Sequence, residues 1–172
     1  AQALHRDLDP PPPTPGDAGS AVSDQRCMQL ALAEARRARD SDEVPVGAVV
    51  VLEGAVPAVI GRGSNRTRGD ADPTAHAEIL ALREAARAVG APRLPGAVLY
   101  TTVEPCFMCA GAALHARVER VVWGVRDPKF GGCASLGRVL SDPRANHQAE
   151  ITEDVLADEA RWLLQEFFQS KR

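Results

Sequence analysis

His76-Ala77-Glu78, followed 27 residues after Glu78 by Pro105-Cys106-Phe107-Met108-Cys109, limits what this chain can fold into more than any other feature. An imidazole and two thiolates are preferred ligands of Zn²⁺, and three protein ligands leave the fourth tetrahedral position open. An open position belongs to a catalytic zinc, whereas a structural zinc is closed by a fourth side chain. Cys106 and Cys109 are three apart and share one face if a helix carries them. Pro105 suits the first position of that helix, where its missing N–H is no loss. Both thiols are then expected in a first turn whose dipole favours thiolate. His76 and Glu78 are two apart and do not share a face on a regular helix. At the very start of a helix, however, His76 can reach the metal while Glu78 reaches water at the open position. The fold must therefore bring two helix N-termini to one point.

The order His-x-Glu, then Pro-Cys-x-x-Cys, resembles the signature of zinc nucleobase deaminases. Zinc lowers the pKa of coordinated water from roughly 16 to about 7, which makes a nucleophile at neutral pH. Attack at the amino-bearing ring carbon expels ammonia, and Glu78 is the residue expected to carry the proton to the ring nitrogen and then to the amine. Two other readings of the cysteines exist. Cys-x-x-Cys alone also describes a redox pair, but the His-x-Glu upstream and the proline before Cys106 argue against it. A closed structural zinc would need Cys27, Cys133, His115 or His147 as fourth ligand. Cys27 reads as a small buried hydrophobe, Cys133 as a loop residue near the metal but off it, and the two histidines as hydrogen-bonding groups.

With 172 residues and 45% apolar content, the chain is long enough for one full domain. No stretch approaches the roughly 20 apolar residues of a membrane span, and four cysteines with two assigned to metal leave no disulfide framework, so the expected compartment is the cytoplasm. Net charge is −3, but residues 60–130 hold ten Lys/Arg against seven Asp/Glu. That mild local excess would not by itself suggest a nucleic-acid partner.

Residues 1–22, with Pro10-Pro11-Pro12-Pro13 and Pro15-Gly16, carry too few large apolar residues to offset ordering, so they are expected to be a disordered extension. Residues 23–172 form the folded domain. Ser23 is the expected N-cap of a first helix with the stripe Met28, Ala31, Leu32, Ala35. Strands are expected at Val46–Leu52, Val56–Gly63, Ala97–Thr102, Val118–Val125 and Gln148–Thr152. A second helix should bury Ile79, Leu82, Ala86 and Val89. A third spans Cys106 to about Ala116, a short one spans Ser135–Leu140, and the last carries Leu156, Ala160, Leu163 and Phe167. Strands alternating with helices give an α/β domain with helices on both faces of one sheet.

From Val44 onward the chain resembles the bacterial tRNA-specific adenosine deaminases, within the cytidine/deoxycytidylate deaminase superfamily. The matching stretches are Glu43-Val44-Pro45-Val46-Gly47-Ala48, Asp72-Pro73-Thr74-Ala75-His76-Ala77-Glu78-Ile79, Glu104 to Ala112, Arg120 to Lys129, and Asn146-His147. The resemblance implies a three-layer α/β/α cytidine-deaminase-like fold with a mixed five-stranded sheet, working as a homodimer with one Zn²⁺ per subunit. It implies conversion of adenosine to inosine at the wobble position of an arginine tRNA anticodon loop. His76, Cys106 and Cys109 would be the ligands and Glu78 the catalytic residue. Asn65 would hydrogen-bond the flipped base, Val46 would pack on its face and Ala77 would lie beside it. Asp127, Lys129 and Phe168 would contact the surrounding RNA. Rival readings are a deaminase of a free base such as guanine or cytosine, and a non-catalytic tRNA-binding subunit; the latter would have no use for Glu78.

Overall fold

The computed structural model describes residues 18–172, so the expected disorder of the proline-rich stretch falls, up to residue 17, outside the described residues. In chain order the elements are α1 (Ala18–Asp40), β1 (Gly47–Leu52), β2 (Ala58–Ser64), α2 (Ala77–Val89), β3 (Ala97–Val103), α3 (Phe107–His115), β4 (Arg120–Val125), a 3-10 turn at Val139–Ser141, β5 (Glu150–Thr152) and α4 (Ala157–Ser170). One five-stranded sheet has the order β2-β1-β3-β4-β5. β1 pairs antiparallel with β2 and β3, while β3–β4 and β4–β5 are parallel.

The near-continuous apolar run of β1 is buried on both faces, as central strands of a covered sheet are. Its alternation divides the core in two: Ala48 and Val50 join α2 and α3, and Val49 and Val51 join α1 and α4. The expected mixed α/β/α sandwich is the observed one. α1 buries Met28, Ala31, Leu32 and Ala35 as its spacing predicts, and α4 buries Ala160, Leu163 and Phe167. A buried polar clamp adds to this: Asp24 accepts from the Tyr100 hydroxyl at 2.7 Å and from Arg120 at 2.8 and 2.9 Å, joining α1 to the middle of the sheet.

Several local expectations fail for identifiable reasons. α1 already runs from Ala18, so Ser23 lies inside it and does not cap it. On α2 the buried face is Ala81, Leu82 and Ala85, together with Ala77 and Glu78, while Val89 is exposed. The helix lies so close to β2 that a Cβ on Gly61 would sit 2.2 Å from the Ala81 carbonyl oxygen. Only alanine-sized side chains fit that approach, which turns the larger apolar residues aside. Ser135–Leu140 forms no α-helix: the Val139 N–H, which such a helix would bond to the Ser135 carbonyl, goes to the Gly132 carbonyl, and the helical turn is confined to Val139–Ser141. Pro105 stands one residue before the cap of α3, not at its first helical position.

Candidate active site

His76 and Cys106 are the N-caps of α2 and α3, both in extended backbone geometry, and neither side chain caps its own helix. Good capping residues turn a side-chain oxygen back onto the first-turn N–H groups. Here the imidazole and thiol are directed elsewhere, toward each other. His76 Nδ1 lies 3.6 Å from Cys106 Sγ and 3.4 Å from Cys109 Sγ. All three donor atoms lie within 4.8 Å of one another, and no other His, Cys, Asp or Glu joins them among the described residues. A tetrahedral zinc with Zn–S of about 2.3 Å and Zn–N of about 2.0 Å requires N···S separations of about 3.5 Å. The donor set fits that ion in type and spacing, with three ligands and no fourth. Cys27 belongs to the core layer on the far side of the sheet. Cys133 is buried with its thiol toward the Pro105 carbonyl, His147 bonds the Val118 carbonyl, and His115 is exposed.

The electrostatics of the cluster follow from these contacts. A hydrogen bond from Cys109 draws the Cys106 thiol down to about 4, with His76 adding to the effect against the opposing effect of burial. The same bond, and burial, push Cys109 well above its ordinary value. His76 is raised, first by its bond with Cys106. Glu78 is buried, and loss of solvent holds its carboxyl above the usual carboxylate range despite a hydrogen bond with the Thr101 hydroxyl at 3.2 Å.

A cavity of about 420 Å³ opens beside His76, Glu78 and Cys106. Val46, Asn65, Ala77, Asp127 and Phe168 all line it, so the structure brings together nine of the ten residues expected from the sequence: five on the cavity wall, its three companions at the reacting end, and Cys109 behind them. Lys129 is the exception. It is exposed and does not line the cavity, and its backbone N–H donates to Asp127 Oδ1. Asn65 is buried and donates its N–H to the Val46 carbonyl at 3.1 Å, which ties the ends of β2 and β1 together under the cavity. Val44, Thr67, Val103 and Phe130 complete the lining.

Glu104 stood out in the sequence only as the start of a family-like stretch, yet it organises the wall formed by residues 127–135. Its carboxylate accepts N–H groups from Asp127, Cys133, Ala134 and Ser135 at 2.8 to 3.1 Å, and the Ser135 hydroxyl as well. Burial works against its charge, but these donors more than offset that and keep it below its ordinary value. Gly131 passes so close that a Cβ there would sit 2.3 Å from the carboxylate.

Residues 22–172 match the family of MafB19-like deaminases. The tRNA-specific adenosine deaminase of Agrobacterium fabrum (strain C58) is 48% identical over 145 residues, covering 84% of this chain and 93% of that protein. A solved structure from a study of A-to-I editing by tRNA:A34 deaminases at the wobble position superposes with a TM-score of 0.76 at 47% identity, covering 81% of this chain and 99% of that one. The guanine deaminase of Nitrosomonas europaea superposes with a TM-score of 0.73 at 27% identity, covering 83% of each chain. A guanine deaminase of Bacillus subtilis is 36% identical but covers only 59% of this chain, so the likeness to the tRNA-specific relatives is both higher and more extensive. The chain belongs to the family of tRNA-specific adenosine deaminases, within the MafB19-like deaminases.

Proposed function

We propose that this chain hydrolyses adenosine to inosine and ammonia at the wobble position of a tRNA anticodon loop, with arginine tRNA as the expected acceptor. The observation that carries the reading is a buried carboxylate, Glu78, beside three converging zinc-type donors at the end of an open cavity. Zinc bound by His76, Cys106 and Cys109 would supply Lewis acidity that activates water at neutral pH. Glu78 takes one proton from the attacking water and passes it to the ring nitrogen, then takes the second from the newly formed C–OH group and passes it to the departing amine. Its raised pKa suits a group that must hold a proton between those steps. Val46 packs against the base, Asn65 hydrogen-bonds its edge, and Ala77 closes the side nearest His76.

An RNA loop is favoured over a free base by the mouth of the cavity. Phe130 is 68% exposed and Phe168 50% exposed. Exposed aromatics give neighbouring unstacked bases a surface on which to stack. A flipped-out base in a single-stranded loop also avoids most of the unpairing cost. A homodimer is the expected assembly: Phe107, Met108 and Leu136 leave apolar surface exposed near the start of α3, with the Phe107 ring packed against Gly137. No helix among the described residues is long and apolar enough to cross a membrane.

The test is inosine formation in an anticodon stem-loop carrying adenosine at the wobble position, with free adenosine, guanine and cytosine beside it. Stem-loop conversion alone is expected. Glu78→Ala should lower turnover by roughly 10²–10⁴-fold while zinc content stays at one per subunit. Conversion of a free base alone would keep the hydrolytic chemistry and overturn the RNA substrate.

A further inference from the structure

A second concave surface lies outside the catalytic cavity, over the open edge of β2 between α1 and α2. It encloses about 470 Å³ and is lined by five arginines, Arg37, Arg62, Arg66, Arg83 and Arg87, against two glutamates, Glu34 and Glu84. A smaller cavity of about 160 Å³ shares Arg37, Ser64 and Arg66 with this groove. That cavity also has Asn65 in its wall, as the catalytic site does, so the three adjoin through shared lining residues.

The charges along the groove are unevenly matched. The Glu34 carboxylate accepts the Ser64 hydroxyl at 2.6 Å and faces Arg37 at 3.5 Å, and Arg66 pairs with Asp70 at 3.1 Å. Arg62 and Arg87 make no ion pair or side-chain hydrogen bond among the described residues. Arg83 reaches Asp72 only through its longer-range field. Arg83 and Arg87 are one turn apart on α2, a like-charge spacing that costs a few tenths of a kcal/mol. A chain of net charge −3 has carboxylates to spare for such a site, yet three exposed guanidiniums are left facing one groove.

Their distances from the reacting end follow from element geometry. Arg62 is three residues before Asn65 along the β2 edge, or about 10 Å at roughly 3.3 Å per residue. Arg83 and Arg87 are six and ten residues beyond Ala77 on α2, or about 9 and 15 Å at 1.5 Å per residue. Stacked nucleotides advance by about 3.4 Å each along a strand. We propose that the groove binds the RNA strand through phosphates about three to five nucleotides from the reacting adenosine, where the anticodon loop meets its stem. Arginine suits this because its fork of donors matches phosphate oxygens. The inference rests on the RNA reading of function.

The experiment compares the zinc-loaded full chain with the triple variant Arg62→Gln/Arg83→Gln/Arg87→Gln. Binding of a 5′-labelled anticodon stem-loop is followed by fluorescence anisotropy across a salt series, with inosine formation in the same samples. The variant should bind the stem-loop at least tenfold more weakly at about 0.1 M salt. Its slope of log affinity against log salt should be shallower by about 2, since each lost phosphate contact removes roughly 0.7 to 0.9. Turnover at saturating RNA should stay within twofold, the melting temperature should not move, and a five-nucleotide loop centred on the adenosine should bind both proteins equally. Unchanged affinity and slope for the stem-loop would overturn the groove, and is what a surface for an acidic protein would give. So would an equal loss of affinity for the five-nucleotide loop. Wild-type protein that binds the stem-loop through these arginines but forms no inosine would instead leave the groove standing and overturn the deaminase substrate.

Discussion

Thr101 Oγ1 lies 3.2 Å from Glu78 Oε1 and 3.0 Å from the Val103 carbonyl oxygen, in a position fully closed to solvent. One hydroxyl has a single proton, so it donates to one of these acceptors at a time. When Glu78 is ionised the proton can point to the carboxylate. When Glu78 carries a proton, Thr101 can accept it in a hydrogen bond and turn its own proton to Val103. Glu78 thus keeps a fixed orientation through both states that the proposed reaction needs. Thr101→Val preserves the shape and removes the hydroxyl, and is expected to lower kcat by about 2- to 10-fold, as loss of one hydrogen bond of about 0.5–1.5 kcal/mol implies. KM and zinc content should hold, and an unchanged kcat would show that the hydroxyl does not position Glu78. His76, Glu78, Cys106 and Cys109 were legible because each is a chemistry-bearing type at a fixed spacing. Thr101 was not. β3 is buried along its whole length, so alternation does not say which of its residues faces the site. Glu104 was equally hidden, because its partners are backbone N–H groups more than 20 residues away, which no side-chain pattern announces.

Helix placement depends on glycines in the strand beneath. A Cβ on Gly63 would meet the Ala77 carbonyl oxygen at 2.0 Å, so the first turn of α2 rests directly on the β2 backbone. That turn follows His76, and moving it outward moves a metal ligand away from the two cysteines on α3. Gly63→Ala is expected to destabilise the fold by about 1–3 kcal/mol, the range for forced overpacking, and to weaken zinc retention on a chelating column. Gly54→Ala is the control, since its nearest neighbour would be 3.9 Å away. Equal zinc retention by both variants would show that α2 can shift without carrying His76 off the cluster. The sequence announced the strands and helices through their apolar periods, but not how closely they approach. That is why the buried face of α2 is displaced from the expected stripe toward Ala81 and Ala85. Turn chemistry between elements was likewise decided at a distance: Glu104 gathers the N–H groups of Cys133, Ala134 and Ser135, and the Val139 N–H, which a helix at Ser135 would have used, goes to the Gly132 carbonyl.

For the whole molecule, the layer order was readable because alternating strands and helices admit few arrangements, while the arginine groove was not, since its members lie on α1, β2, α2 and the loop after β2. The proposed zinc has a similar long reach. Its ligands come from the β2–α2 junction and the β3–α3 junction with the first turn of α3, which are otherwise joined by packing across α2 and α3 and by the hydrogen bond between Thr101 and Glu78. An ion that binds only the folded state stabilises it by about 2.7 kcal/mol when its free concentration is 100 times its dissociation constant. For a domain of this size each kcal/mol moves the melting temperature by roughly 2–4 °C. Stripping metal with a chelator should therefore lower the midpoint by about 5–10 °C. Zn²⁺ should restore it, and Mg²⁺ should not, because thiolates and imidazole suit the softer ion. Cys109→Ser should lose most of the zinc-dependent shift, whereas Glu78→Ala, which removes no ligand, should keep it. A midpoint that zinc leaves unmoved in the wild-type chain would mean the three donors do not form a metal site, however well their spacing suits one.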